Sequence, residues 1–158
     1  MNALDILDYA HQDVLRDLGA TKDWTTPGVT TRWSAKDMVA HLASFERYLE
    51  EALLEVLGRG PTPVLDSMRS DPQHFNDVQV GQRVAQSLET LRREYEEAHA
   101  RLIALAGELG PERLRQPGSI PWYGAQYSLD DLMVYTNYGH KREHCAQLRG
   151  FELRRAAR

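Results

Sequence analysis

The chain has 158 residues, enough for one domain with a sizeable buried core. Its residues are 42% hydrophobic and 27% charged, which is typical of a globular protein and excludes an intrinsically disordered chain. The formal net charge of -4 argues against nucleic acid as a partner, because domains that bind it usually carry a basic surface.

Two helices are predicted in the first third of the chain from apolar residues at helical spacing. The first covers about residues 3–18, and Gly19 is its expected end. Ser34 and Asp37 have the spacing of a capping box, which predicts that a second helix begins there. Gly58 and the Gly and Pro residues after it predict where this helix ends.

Two more helices are predicted, each preceded by a long connection. The stretch 58–80 is expected to be mostly irregular, and a third helix is expected over about 82–109. Gly110-Pro111 is a clear stop signal, and a second irregular connection follows over 112–127. The last helix is predicted over 128–149, with Gly150 just beyond its end.

Four amphipathic helices of these lengths cover one another's apolar faces most simply as a bundle. The predicted fold class is therefore all-α, an antiparallel four-helix bundle with long loops between helices 2 and 3 and between helices 3 and 4. No strand pair and no internal repeat is apparent. We expect one domain over 1–150 and a basic, solvated C-terminal tail over 151–158.

Cysteine content and the N-terminal sequence favour a cytoplasmic protein. The single cysteine, Cys145, cannot form an internal disulfide, which makes a reducing compartment the default. The first residues include acidic side chains and lack the basic start and apolar run of a signal peptide. No stretch approaches the ~18 consecutive apolar residues of a membrane span. We therefore expect no membrane partner and no nucleic-acid partner.

Three histidines are placed where they could share one metal ion. His41 lies between Met38 and Phe45 on the apolar stripe of the second helix, so it is expected to point inward. An inward histidine by itself is more often a hydrogen-bonded core residue than a ligand. His140 and His144 are four residues apart on the last helix, so their side chains share one face and can converge on an ion.

A single metal ion would satisfy all three imidazoles, whereas burying them without partners would cost several hydrogen bonds. Three neutral nitrogen ligands leave an open coordination position, which is the arrangement of a catalytic site and not of a closed structural one. The sequence thus predicts a site for one Zn²⁺, Ni²⁺ or Fe²⁺ ion held by His41, His140 and His144, and it does not choose among these metals.

The same segment also matches the H-x-x-E-H signature of inverzincin metalloproteases, in which Glu143 would be the general base. Five residues are a weak signal, and those proteases are much larger chains built around sheets. The simpler interpretation is that Glu143 faces solvent beside Lys141 and Arg142.

Other candidate residues have open roles. His11 lies on the apolar stripe of the first helix and could line the pocket, carry a proton or bond a backbone carbonyl; a structural role is favoured. Cys145 lies about 100° around the helix from His144 and is expected to be buried as a small apolar residue. No role is assigned to His74 or His99.

Two segments resemble motifs of the DinB-like (YfiT-like) superfamily. Segment 33–46, WSAKDMVAHLASFE, is similar to the second-helix motif of that family. Segment 140–148, HKREHCAQL, is similar to its last-helix motif, HxxxHxxQ followed by Ile or Leu. Both occur at the expected places in a chain of the expected length, so the resemblance covers nearly the whole sequence.

This resemblance implies a four-helix bundle, commonly a homodimer, with one metal held at positions His41, His140 and His144. The family includes S-transferases and isomerases that use low-molecular-weight thiols, metal-dependent hydrolases, and a related branch resembling colibactin self-protection proteins. A shared fold implies the scaffold and leaves the reaction open.

The first functional hypothesis is a metal-dependent enzyme, a thiol S-transferase or a hydrolase, acting on a small electrophilic molecule. The metal would bind a thiol cofactor or water and lower its pKa. Glu46 is the candidate for a base or for a residue that orients the site, and Gln147 could position the last helix or a ligand. The aromatic residues of the second loop either wall the pocket mouth or pack the end of the bundle: Trp122, Tyr123 and Tyr127.

Two alternatives remain open. The protein could be a non-catalytic or self-protection protein that binds or sequesters a reactive small molecule without converting it. The histidine cluster could also be vestigial, with the domain acting through a dimer surface. Loss of activity with a chelator, and its recovery with metal, would separate the enzyme from a sequestering protein.

Overall fold

The computed structural model describes residues 2–158, which contain helices and no strand. This confirms the predicted all-α class. The helices in chain order are α1 (Ala3–Ala20), α2 (Ala35–Val56), α3 (Pro63–Ser70), α4 (Phe75–Arg83), α5 (Leu88–Leu114), α6 (Leu129–Leu132) and α7 (Gly139–Ala156), with a π-helical segment, Met133–Tyr138, between α6 and α7.

Side-chain caps begin α2 and α6 where the sequence predicts them. The Ser34 hydroxyl accepts the backbone N–H of Asp37 at 3.2 Å, and the Asp37 carboxylate accepts the backbone N–H of Ser34 at 2.9 Å. Aspartate therefore completes this capping box in place of the usual glutamate. Ser128 and Asp131 form the same reciprocal pair at the start of α6.

The connection between α2 and α5 is more helical than predicted. The stretch 58–80, expected to be irregular, contains α3 and most of α4, and the third long helix begins at Leu88 after a break instead of at residue 82. Each short helix packs one fully buried side chain, Leu65 or Phe75, into the core. Burial of these side chains stabilises helices too short to persist in isolation.

The predicted helix ends need three corrections. α1 continues past Gly19 to Ala20, and α5 kinks at Gly110 (φ 74°) before a last turn to Leu114. α7 continues through Gly150 to Ala156, so most of the segment expected to be a tail is helical. Phe151 in this segment is buried.

Two pairs of long helices are parallel, so the predicted antiparallel arrangement is wrong for them. Ion pairs between α2 and α5 ascend along both helices: Arg47–Glu94, Glu50–Arg101 and, just beyond α2, Arg59–Glu108. Contacts from α1 and the residues after it to α7 ascend likewise: Asp17–Arg149 and Lys22–Glu152.

The connection over 57–87 explains the parallel direction of α2 and α5. It returns the chain to the N-terminal end of α2, where the Lys36 ammonium donates to the Val84 carbonyl at 3.2 Å. α2 and the last helical stretch run in opposite directions. Their contacts show this, since His41 contacts His144 whereas Glu46, later on α2, contacts Asn137, earlier in the chain. α1 and α7 thus run one way, and α2 and α5 the other.

The core consists of two apolar clusters with polar residues between them. The first cluster includes Leu7, Tyr48, Leu53, Leu102 and Met133, and the second includes Val14, Leu42, Tyr95, Cys145 and Leu148. Seven buried polar side chains of the long helices and the π-helical segment lie near the places along the chain where one cluster gives way to the other. We call these residues the polar layer: His11, His41, Glu46, His99, Asn137, Lys141 and His144.

Among residues 2–158, no helix combines the length and the apolar character that crossing a membrane requires.

Candidate metal centre

α2 and α7 bring three imidazole rings to one point. The Nε2 atom of His41 lies 2.8 Å from that of His140 and 2.9 Å from that of His144, and the last two are 2.7 Å apart. His41 and His144 are buried, whereas His140 is partly exposed. The predicted juxtaposition of the three histidines is therefore present, and it gives the site one side open to solvent.

The three nitrogen atoms fit a metal ion better than a set of hydrogen bonds. Every hydrogen bond needs one donor and one acceptor, so in a triangle of three ring nitrogens at least one contact joins two atoms of the same kind. Nitrogen ligands at ~2.0–2.1 Å from zinc and at tetrahedral angles lie ~3.3 Å apart, so small side-chain rotations would admit an ion. The donor set suits Zn²⁺, Ni²⁺ or Fe²⁺.

Burial keeps these imidazoles neutral. Desolvation, with the charges of the other two rings, lowers the pKa of His41 to about 2. Desolvation, with the charges of His144 and Lys141, lowers the pKa of His140 to about 3. Burial also lowers the pKa of His144, against the opposing effect of its bond to Gln147. Neutral imidazole is the form that binds metal, so protons compete weakly for the site near neutral pH.

Gln147 orients one of the three rings. Its Oε1 lies 2.7 Å from Nδ1 of His144, and an amide oxygen only accepts, so Nδ1 carries the proton. Nε2 of His144 is then left with its lone pair directed at the other two rings. The Nδ1 atoms of His41 and His140 are buried and have no hydrogen-bond partner among residues 2–158.

Aromatic side chains flank the cluster. The ring of His41 lies 4.8 Å from the rings of both Trp33 and Phe45, and the ring of His140 lies 4.2 Å from that of Phe45. Trp33 also lines a surface cleft of about 330 Å³ between the loop before α2 and the start of α4. Polar side chains form the rest of this cleft: Thr30, Thr31, Arg32, Gln73, Asn76 and Asp77.

The aromatic loop before α6 packs on α2 at a distance from the histidines. The Trp122 indole N–H donates to Glu55 at 3.0 Å, and its ring lies 6.0 Å from that of Tyr48. Tyr48 in turn lies 5.9 Å from Phe45, which contacts His140. These contacts are those of packing at the bundle end, which is the second of the two roles considered for this loop.

Glu46 is a fully buried carboxylate whose partners the sequence did not reveal. One oxygen lies 2.5 Å from the Lys141 ammonium, and the other lies 3.1 Å from Nδ1 of His99. Asn137 also donates to this carboxylate, at 3.4 Å. Burial raises the pKa of Glu46, but the nearby Lys141 and His99 outweigh it and hold this pKa at about 2.

The position of Lys141 differs from the one that the sequence predicts. The sequence predicts Lys141 in solvent beside Glu143, yet only 1% of it is exposed. Glu143 does face solvent, which agrees with the simpler interpretation of the H-x-x-E-H match. The available signal was its spacing, because Lys141 lies three residues before His144 and seven before Leu148, positions that share one face of α7.

His11 and His99 form a stacked pair, with ring centroids 3.8 Å apart and planes 5° from parallel. Nδ1 of His11 lies 3.2 Å from the Tyr95 hydroxyl, so its partner is a side chain and not the backbone carbonyl considered as one of its possible roles. Burial, with the charges of His99 and Lys141, lowers the pKa of His11 to about 4. Cys145 is 1% exposed, as expected of a small apolar residue, and burial raises its pKa to about 12.

Comparison with known proteins connects this site to one family. A family model described as the DinB superfamily matches residues 8–148, a span that contains all three histidines and Glu46. No curated protein matches the chain, and no solved structure does.

Proposed function

The chain belongs to the DinB superfamily, and from this premise we propose that it is a metal-dependent enzyme acting on a small electrophilic molecule. Thiol transfer and hydrolysis are the two reaction types proposed. The observation that supports this most directly is the convergence of three ring nitrogens within 2.9 Å of one another, with His140 reaching the surface. Three protein ligands leave a coordination position for a reactant, as catalytic metal sites require.

Each residue to which we assign a role makes a contact that suits the role. His41, His140 and His144 would hold one Zn²⁺, Ni²⁺ or Fe²⁺ ion, which supplies a Lewis acid able to lower the pKa of water or a thiol. Gln147 keeps His144 in the tautomer that binds metal. Trp33 and Phe45 exclude water from one side of the site.

Glu46 is not proposed as the base. Its oxygens bond Lys141, His99 and Asn137, so neither is free to take a proton from a reactant. The reacting proton would instead leave through the exposed side at His140.

Elemental analysis of purified, tag-free protein grown with mixed trace metals tests the proposal. We expect about one Zn, Ni or Fe per chain in the wild type and in His74→Ala, whose histidine is exposed and distant in sequence from the ligands. His140→Ala should lose most of the metal. Absence of metal from the wild type after reconstitution would overturn the proposal.

A second measurement separates turnover from sequestration. Thiol transfer and ester hydrolysis on model electrophiles should be lost with a chelator and return with metal. Stoichiometric binding of an electrophile that is insensitive to the chelator would instead support the sequestering alternative.

A further inference from the structure

The polar layer contains an ion pair that joins the two helices carrying the histidine cluster. Glu46 lies on α2 five residues after His41, and Lys141 directly follows His140 on α7. The ammonium and carboxylate are 2.5 Å apart, and the two side chains are 1% and 0% exposed. Apart from this ion pair, the Lys141 ammonium has no hydrogen-bond partner among residues 2–158, and it lies 5.4 Å from the centre of the Tyr95 ring.

The other contacts of Glu46 extend this connection to all four long helices. His99 on α5 bonds one carboxylate oxygen, and the His11 ring on α1 stacks on His99. Asn137, in the π-helical segment, bonds the other oxygen. The Glu46 carboxylate thus bonds side chains of α5, the π-helical segment and α7, and α1 joins this group through the stacked His11 ring.

Stability alone gives no reason for such a pair. Desolvation of a buried carboxylate and ammonium costs several kcal/mol per ion, and well-packed apolar residues in their place are often as stable or more so. A buried pair does restrict the geometry of the helices. A helix register that separated the two charges would leave each of them buried without a partner, so such registers are disfavoured.

Register is a particular problem at this position. The π-helical segment Met133–Tyr138 has i→i+5 bonds, so it changes the rotation of every residue that follows it relative to α6. Which face of α7 turns inward therefore depends on what holds the helix after the π segment. Asn137 and Lys141 bracket His140 along the chain, and both are held by Glu46.

We propose that Glu46, Lys141 and Asn137 are positioning residues that hold α7 in the rotation at which His140 and His144 meet His41. This inference rests on the metal site proposed above. In this inference the three side chains fix the geometry of the metal centre and take no part in proton transfer.

The test is Zn²⁺ affinity, measured by competition with a chromophoric chelator, together with the visible spectrum of the Co²⁺-loaded protein. Glu46→Gln/Lys141→Met removes both charges and keeps the side-chain volumes, so thermal unfolding should stay near that of the wild type. We expect the Zn²⁺ dissociation constant to rise about 10- to 100-fold and the Co²⁺ bands to shift. Asn137→Leu should change both readouts in the same direction.

The matched control is Glu94→Gln. Glu94 pairs with Arg83 on α4 and with Arg47 on α2, so the change removes a partly buried carboxylate charge that does not join α2 to α7. This change should lower the unfolding temperature without changing Zn²⁺ affinity or the Co²⁺ spectrum.

The outcomes are distinct. Wild-type affinity and spectrum in the double variant would overturn the positioning role while leaving the metal site intact. A wild-type protein that binds neither Zn²⁺ nor Co²⁺ would overturn the proposed function and this inference with it. A double variant that no longer folds leaves Asn137→Leu to decide, and unchanged metal binding there would overturn the inference.

Discussion

Gln147 Oε1 lies 2.7 Å from Nδ1 of His144, three residues earlier on the same helix. The contact sets the tautomer of His144 and leaves its Nε2 lone pair facing the other two rings. Gln147→Leu removes the acceptor, so metal affinity should fall about tenfold, as measured by chelator competition. Gln147→Glu keeps an acceptor and should bind at least as tightly as the wild type; equal affinity of the Leu variant would contradict this role.

Acid should destabilise the metal-free protein. The folded-state pKa values of His11, His41 and His140 are lowered to about 4, 2 and 3, so between these values and ~6.5 the unfolded chain binds more protons. The free energy of unfolding therefore falls as pH falls, by roughly 1–2 kcal/mol per imidazole between pH 7 and pH 5. Urea titrations of chelator-treated protein at both pH values measure it.

A control variant isolates the origin of that loss. His41→Leu should make the free energy of unfolding less dependent on pH, whereas His74→Ala, at an exposed site, should not. A pH-independent free energy of unfolding in the wild type would contradict the burial of neutral imidazoles.

Metal should stabilise the fold, because ions bind the assembled triangle and not the dispersed ligands of the unfolded chain. At a free concentration of about 100 times the dissociation constant, the gain is about 2.7 kcal/mol. For a chain of this size this raises Tm by roughly 5–10 °C. Differential scanning calorimetry with and without Zn²⁺ checks it, and His144→Ala should show no such rise.

Cys145 should be unreactive in the native protein. It is 1% exposed, and burial raises its pKa to about 12, so little thiolate is available to react. Ellman's reagent should label it slowly in buffer and fully in urea. Rapid stoichiometric labelling of the folded, metal-loaded protein would contradict this expectation.

The last helical segment should contribute to the stability of the domain. Phe151 is 6% exposed and lies in the second apolar cluster, so Phe151→Ala should cost about 3 kcal/mol of unfolding free energy. Leu153→Ala is the matched control, because Leu153 is 72% exposed and its loss should cost less than about 0.5 kcal/mol. Equal effects of the two changes in urea titrations would place 151–158 outside the folded unit.

Local signals in the sequence were sufficient for the four long helices and for the histidine pair on α7. The capping box of Ser34 and Asp37 and the apolar periodicity of α2 depend on residues within a few positions, so they are legible without a structure. The i, i+4 spacing of His140 and His144 is equally local. Placing His41 opposite them required only that both apolar faces turn to one core.

Non-local packing decided what sequence reasoning missed. The apolar periodicity of a helix does not show whether a neighbouring helix runs parallel or antiparallel to it. The parallel pairing of α2 with α5 depends instead on the connection over 57–87 and its contact at Lys36. A periodicity of 3.6 residues likewise does not show how far a π-helical segment rotates the helix that follows it. Lys141 is predicted in solvent for a different reason: a lysine is rarely buried without a partner, and its partner Glu46 lies on another helix.

The sequence by itself thus determined the helical class, the start sites of α2 and α6 and the three imidazoles of the candidate centre, because each depends on short-range spacing or on the side of a helix. Only the tertiary structure decided that Glu46 bonds Lys141 and His99. A buried charge is stable only when partners from other helices bond it. The spacing of residues along one helix does not show which residues of the other helices will be those partners.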